Sequence, residues 1–176
     1  FQKHTLNLEW FTPTFWKFVL MNSMKIGAIK ELPSNNNSPS YIPYNDRFIM
    51  GGNGIPYGNV LRGYDDNRVG PLTSTGNPIG GNTLVKFNTE FRVPFAENPV
   101  VYGMVFAEMG NVWSSTDLME RLSLPRSGPL DLKRSVGVGV RFFMPMIGML
   151  GFDFARGFDR VDINGKLKPE WKTTLT

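Results

Sequence analysis

The chain has 176 residues, a formal net charge of +4, one histidine and no cysteine. The absence of cysteine excludes disulfides, cysteine-ligated zinc and thiol nucleophiles. Because the basic residues are spread along the chain, nucleic-acid binding has little support. No apolar run reaches the about 18 residues of a membrane helix. The longest, around residues 142–152, is broken by Pro145, Gly148 and Gly151.

Two segments near the N-terminus have the alternation of a β-strand. Between residues 5 and 10, the apolar Leu6, Leu8 and Trp10 alternate with polar residues, which predicts a strand. A turn follows at 12–14. Residues 18–28 alternate again, although Asn22 falls on the apolar side. Residues 33–44 are polar and predict a loop that continues into a long central connection.

The strongest strand signal follows the Gly-Gly-Asn at 80–82. One face carries apolar residues and a threonine, and the other carries charged and polar residues: Val85, Phe87, Thr89, Phe91, Val93 and Phe95 against Leu84, Lys86, Asn88, Glu90 and Arg92. A turn at 96–99 leads to a second strand at 100–113. After a polar loop at 114–133, further strands are predicted at 136–144, 150–155 and 170–176.

These segments amount to about seven strands of about ten residues, the length with which a tilted β-strand spans a membrane. Short turns at 12–14, 96–99 and 145–148 lie at one end, and long polar loops lie at the other. This asymmetry predicts an all-β fold, a transmembrane antiparallel β-barrel. The alternative is a soluble β-sandwich, whose strands are usually about 5–6 residues long.

The aromatic face of these strands is predicted to face lipid, at Phe87, Phe91, Phe95, Phe142, Phe152 and Phe154. About seven strands cannot close a bacterial barrel, which needs an even number of at least about 8. An open edge would leave unpaired backbone groups in lipid. Residues 1–176 are therefore predicted to be the C-terminal portion of one larger barrel domain, with a long extracellular loop at 45–82.

No pattern in the sequence supports catalysis. His4 has no serine or acidic partner in a recognisable arrangement, and the glycine clusters lack the Lys-Ser/Thr ending of a phosphate loop. Asp65, Asp66 and Asn67 lack the spacing of an EF-hand and are typical of a turn. We therefore expect no catalytic residue, no metal site and no cofactor.

One constellation of charged residues remains. Within the Gly-, Pro- and Asn-rich connection at 51–71, Leu61-Arg62-Gly63-Tyr64 is typical of a loop tip that docks. Glu90 and Glu108 lie on the polar faces of neighbouring strands, so both carboxylates are predicted to point into one lumen. Arginine suits such a dock because its planar fork binds carboxylates. The alternative is that both glutamates are solvated wall residues.

The motifs along the chain resemble those of the BamA-type outer-membrane protein assembly factors, in the bacterial surface antigen family. Leu61-Arg62-Gly63-Tyr64 is similar to the tip of the family's sixth extracellular loop. Four further segments match the family in the same order: Phe48-Ile49-Met50-Gly51-Gly52, Val69-Gly70-Pro71, Gly80-Gly81-Asn82 with Thr89-Glu90-Phe91, and 106–113. Gly151-Phe152-Asp153-Phe154 resembles the family's penultimate strand.

The resemblance implies a barrel of about 16 strands with periplasmic POTRA domains in the bacterial outer membrane. It implies a non-enzymatic factor that folds and inserts other outer-membrane proteins without ATP. Unfolded client proteins, membrane lipid and accessory assembly lipoproteins would be its partners. In that family the loop arginine pairs with strand carboxylates, which here correspond to Glu90 and Glu108, although Glu108 stands where the family usually has Asp.

Other functions remain open at this point. Relatives that share the loop motif include two-partner secretion transporters, the TamA type and barrels fused to a lipase-like domain. A passive porin-like channel is a more distant alternative, because a porin has no need of an Arg-Gly-Tyr tip matched to lumen carboxylates. A soluble carbohydrate-binding sandwich ranks third, since patches of exposed aromatic residues are a liability for a soluble protein.

Overall fold

The structure is a computed structural model that describes residues 1–32, 42–114, 131–146, 148–161 and 166–175. Most of the predicted loops at 33–44 and 114–133 lies outside these residues. The same holds for Ile147 in the turn at 145–148 and for Thr176 at the end of the last predicted strand. No helix of the described residues is long and apolar enough to cross a membrane.

The described regular structure consists of seven β-strands and one short 3₁₀ turn at Tyr44–Asp46. The strands are β1 (Gln2–Pro13), β2 (Val19–Lys30), β3 (Thr83–Glu97), β4 (Val100–Trp113), β5 (Lys133–Met144), β6 (Gly148–Gly157) and β7 (Trp171–Leu175). They form one sheet in sequence order, and each strand pairs antiparallel with the preceding one. The predicted all-β antiparallel fold is confirmed.

Several strands are longer than their hydrophobic alternation predicted. β1 extends from Gln2 to Pro13, three residues beyond the predicted segment at each end, and β5 begins at Lys133 rather than at Val136. The apolar pattern reports only where one face is apolar, whereas backbone hydrogen bonding continues past it. β7 is the exception, because it spans only Trp171–Leu175.

The register assigns each residue to one of two faces. Glu108 pairs with Asn88, and Glu90 pairs with Phe106, so these residues share what we call the inner face. Phe87 pairs with Met24 and Met109 on the opposite, outer face. The outer face also carries the predicted aromatic residues Phe91, Phe95, Phe142, Phe152 and Phe154.

The outer face is broadly apolar and exposed within the chain. Large exposed side chains on this face include Leu6, Leu8, Trp10, Val105, Val138, Phe152, Phe154 and Leu175. Asn22, the polar exception in β2, stands directly opposite Thr89, whose Oγ1 donates a hydrogen bond of 2.9 Å to Asn22 Oδ1. The one break in the β2 alternation is therefore matched by a partner on the neighbouring strand.

The two ends of the sheet differ. Short connections join β1 to β2, β3 to β4 and β5 to β6 at the end that we call the turn end. The connections after β2, β4 and β6 are long and define the loop end. This arrangement matches the predicted distribution of turns and loops.

The connection between β2 and β3 folds back against the inner face. Short β-bridges pair Met50 with Val69 and Gly52 with Leu61, so the loop has its own backbone framework. Its apolar side chains join residues of β2, β3 and β4 in a buried cluster of Ile29, Ile42, Phe48, Met50, Leu61, Tyr64, Val69, Leu84 and Val112. This core holds the loop tip over the polar centre of the inner face.

Candidate functional site

The two predicted carboxylates meet on the inner face because of strand register. Glu90 lies in the middle of β3, two residues after Asn88. Glu108 lies on the adjoining strand β4 and pairs directly with Asn88. Residues related in this way are diagonal neighbours on one face, within reach of long side chains. Both glutamates are buried beneath the central loop, with exposures of 5% and 3%.

Arg62 reaches down from the loop between these carboxylates. Its Nη2 lies 2.8 Å from Glu90 Oε1 and 2.8 Å from Glu108 Oε1, and it donates a further hydrogen bond of 3.2 Å to Asn88 Oδ1. The backbone N–H of Arg62 donates to the other oxygen of Glu108, Oε2, at 2.8 Å. One arginine is thus bound through both its guanidinium and its backbone.

The remainder of the guanidinium is enclosed by β4 and β6. Its central carbon lies 3.5 Å from the centre of the Phe106 ring, in cation–π geometry. Nη1 lies 3.6 Å from Asp153 Oδ1 and 3.9 Å from Met104 Sδ. Only Nε is buried without a hydrogen-bond partner. Arg62 is 3% exposed, so its charge is desolvated and compensated almost entirely by protein groups.

A second set of cations surrounds the same carboxylates. Arg92 donates to Glu90 Oε2 from Nε and Nη2, at 2.9 and 2.7 Å. Lys86 Nζ lies 3.3 Å from Glu108 Oε1. Arg92 binds the Glu90 oxygen that Arg62 leaves open, and Lys86 shares Glu108 Oε1 with Arg62. Both carboxylates therefore have further cationic partners, which is what a buried ion pair requires.

Asp153 is the third carboxylate of this network. Arg141 binds it with two parallel hydrogen bonds, Nη1 to Oδ1 at 2.9 Å and Nη2 to Oδ2 at 2.8 Å. The sequence prediction paired Arg62 with two glutamates and missed Asp153 as a partner. A signal was present, because Asp153 alternates with Phe152 and Phe154 and therefore lies on the inner face.

Gly63 allows the tip to lie directly on β6. Its φ of +85° is in the left-handed region. A Cβ built on Gly63 would come within 2.7 Å of the backbone nitrogen of Gly157, and a Cβ on Gly157 would come within 2.7 Å of the Gly63 oxygen. Both positions require glycine because two backbones touch there.

Leu61 and Tyr64 flank Arg62 and are both buried. The Tyr64 hydroxyl donates to the Arg134 carbonyl at 2.7 Å and accepts from the Asp159 backbone N–H at 3.3 Å. Tyr64 therefore anchors the tip to the loop end of β5 and to the residues that follow β6. Its polar end is satisfied by backbone groups, as expected for a buried tyrosine.

Asp65 ties the loop to the last strand. It accepts hydrogen bonds from Lys172 Nζ of β7 and from Arg160, whose Nε lies 3.0 Å from Asp65 Oδ2. Partial burial raises the pKa of Asp65, but the hydrogen bonds and charges of Lys172 and Arg160 outweigh it and hold the pKa below its usual value. The carboxylate is therefore ionised whenever the loop is docked at neutral pH.

This arrangement binds the central loop to the sheet. Every carboxylate near Arg62 is occupied by cations, and in the part of the chain that the structure describes no group of three or more acidic or histidine side chains is placed to hold a metal ion. Its chemistry is that of a buried ionic lock between a loop and a sheet.

An antiparallel sheet with an apolar outer face and a loop locked onto its polar inner face defines a sector of a membrane β-barrel of the outer-membrane type. Residues 1–167 match the Omp85 superfamily domain, and the chain belongs to this superfamily. Its members are β-barrel proteins of the outer membrane that insert or translocate proteins, so the predicted family resemblance is confirmed.

The structure of BamA from Haemophilus ducreyi lacking POTRA domains 1–3 has a similar fold, with a TM-score of 0.66 and 18% sequence identity. The similarity covers 99% of this chain and 35% of the BamA chain, so this chain spans about a third of that protein. Comparison with curated protein sequences gave no match.

Proposed function

We propose that the full-length protein is an assembly factor that folds and inserts other β-barrel proteins into the bacterial outer membrane. The observation that carries this proposal is the lock between Arg62 on the loop and Glu90 and Glu108 on the sheet. A passive channel needs only a loop that narrows its lumen. Here the loop is fixed by a buried, desolvated ion pair. Such a pair suits a barrel whose wall must keep its shape while client proteins fold and insert beside it.

In this proposal residues 1–176 form the C-terminal portion of the barrel domain, and the loop at 45–82 is extracellular. Phe87, Phe91, Phe95, Phe142, Phe152 and Phe154 face lipid. The partners are unfolded outer-membrane proteins, membrane lipid and accessory assembly lipoproteins, and no nucleic acid, cofactor or catalytic residue takes part. The outer-facing register of these phenylalanines supports the membrane placement.

The proposal is tested with the full-length protein reconstituted in liposomes without ATP. A urea-denatured β-barrel client is added, and its folding is followed by the mobility shift of folded barrels in unheated gels. We expect the wild-type protein to accelerate folding and Arg62→Ala to lose most of that effect. Arg68→Ala is the matched control, because Arg68 is an exposed arginine of the same loop.

The second candidate is a translocation barrel of the two-partner secretion or TamA type, which the superfamily match equally allows. The same liposomes distinguish it, because a secreted client would become protected from external protease inside the vesicle. A wild-type protein that protects a secreted client and leaves the folding rate of a barrel client unchanged would overturn the assembly proposal. Passage of small solutes with neither effect would indicate a porin-like channel.

A further inference from the structure

Arg156 is a charged residue on the outer face that the ionic lock does not use. It is the last but one residue of β6, at the loop end of the sheet. It pairs with Val136 of β5 on one side and with Trp171 of β7 on the other, so its side chain shares the face of those two residues. Phe152 and Phe154 precede it on the same face, and both are exposed.

The guanidinium of Arg156 lacks a partner in the described part of the chain. Its Nε is buried without a hydrogen bond, and its other nitrogens form no ion pair with a described carboxylate. Nε is enclosed by the chain itself, whereas the two terminal nitrogens of Arg156 are accessible and have no partner among the described residues, so they are open to a ligand from outside the chain.

The neighbouring residues do not compensate this charge. Arg134 lies on the same face, two residues from Val136, which makes it a diagonal neighbour of Arg156. Arg134 already donates two hydrogen bonds to the Asp159 carboxylate, one from Nε at 3.2 Å and one from Nη2 at 3.1 Å. Among the residues that the structure describes, Arg156 therefore carries a positive charge on the outer face with no counter-ion.

The position of Arg156 fits the boundary of a membrane. An arginine on the lipid face of a barrel is strongly destabilising at the bilayer midplane and costs little near the interface. Tryptophan prefers the headgroup level, and Trp171, which is 48% exposed, stands directly opposite Arg156. Arginine binds phosphate with the same planar fork that it offers to carboxylates.

We propose that Arg156, beside Trp171 at the loop end of β6, binds the phosphate of a lipid headgroup. The proposal rests on the membrane placement in the proposed function, but not on the insertion activity. The fork of Arg156 donates to the phosphate oxygens while the acyl chains lie along Phe154 and Phe152. The bound headgroup supplies the acceptors that the described residues do not.

The test uses full-length protein purified in detergent and native mass spectrometry to count retained lipids. The probes are dioleoyl phosphatidic acid, dioleoyl phosphatidylcholine and inorganic phosphate. We expect wild-type protein to retain phosphatidic acid in preference to phosphatidylcholine. Arg156→Gln should lower retention of phosphatidic acid about tenfold, because charge-assisted hydrogen bonds are lost.

The matched control is Arg68→Gln, which removes the same charge from an exposed position on the central loop and should leave retention unchanged. Arg156→Lys keeps the charge and loses the fork, so it should retain an intermediate amount. Equal retention by wild-type protein and Arg156→Gln, both with the gel mobility of a folded barrel, would overturn the site. Displacement of the lipid by an equal concentration of inorganic phosphate would overturn its assignment to a lipid.

Retention of neither lipid by wild-type protein would count against the membrane placement itself. Loss of client folding with normal phosphatidic acid binding would instead overturn only the proposed insertion activity. The two proposals therefore fail in different measurements.

Discussion

Glu108 holds Arg62 at two points, since its Oε1 accepts from Arg62 Nη2 and its Oε2 accepts from the Arg62 backbone N–H, both at 2.8 Å. The second bond does not depend on the side chain at position 62. Glu108 therefore fixes the path of the loop backbone as well as the guanidinium. Glu90, in contrast, binds only the guanidinium.

We expect Arg62→Ala to lower the free energy of unfolding by about 3–5 kcal/mol, since it leaves buried carboxylates without their partner. Arg62→Lys should restore only part of this loss, because lysine lacks the fork that reaches both glutamates. Urea unfolding of the full-length barrel in micelles measures both changes. Arg68→Ala, on the exposed part of the same loop, should change the free energy by no more than about 0.5 kcal/mol.

The network also predicts non-additivity. Arg62→Ala combined with Glu90→Gln and Glu108→Gln should cost clearly less than the sum of the three separate changes, because the triple variant leaves fewer uncompensated charges. A triple variant whose cost equals that sum would show that the three groups act independently, against the lock.

A substitution on the outer face tests lipid exposure. Phe91→Arg, near the middle of β3, should cost about 2–4 kcal/mol if the position is close to the bilayer midplane. Phe95→Arg makes the same change on the same face near the turn end, where the cost should fall to about 0–1 kcal/mol. Unfolding of both variants in lipid vesicles provides the comparison, and equal costs would contradict the predicted depth of the two residues.

Alanine substitutions at Gly63 and Gly76 separate the energetic cost of close packing from the cost of backbone strain. Both have a positive φ, +85° and +80°, but a Cβ on Gly76 would meet no atom within 4 Å. Gly76→Ala should therefore cost only the about 1–2 kcal/mol of a left-handed alanine. Gly63→Ala should cost about 1–3 kcal/mol more, from its contact with Gly157. Similar unfolding free energies for the two variants would refute the close approach.

Acid should loosen the loop through Asp65. Its folded-state pKa lies below the usual value of about 3.9, so its stabilising contribution is complete above about pH 4 and is lost as the pH falls through the folded pKa. Hydrogen exchange at residues 61–69, corrected for the intrinsic rate, should therefore lose protection on acidification. The loss should be smaller in Asp65→Asn, which lacks this contribution at every pH.

Glu97→Gln is the control for acidification, because Glu97 pairs with Lys17 at the turn end, away from the loop. It should follow the wild-type profile. An identical pH profile in wild-type protein and Asp65→Asn would mean that the contacts to Lys172 and Arg160 do not hold the loop.

The sequence predicted the strands and their faces because alternation is a local signal. The same alternation placed Glu90 and Glu108 on the polar faces of neighbouring strands, and so on one face of the sheet. It did not predict that Arg92 and Arg141 would serve as counter-ions for Glu90 and Asp153, since that depends on rotamers and on inter-strand register. The bridges inside the loop, such as that between Gly52 and Leu61, join glycine-rich segments with no periodic pattern and could not be predicted.

The contact between Asp65 and Lys172 has a thermodynamic consequence. β7 has five residues and pairs only with β6 among the described strands, so the contact with Asp65 is an additional link that joins it to the loop. Coupling between two sites is reciprocal, so a docked loop that stabilises β7 is itself stabilised by β7 to the same extent. A competing strand that displaced β7 would weaken loop docking by that same factor, and release of the loop would favour the competitor equally.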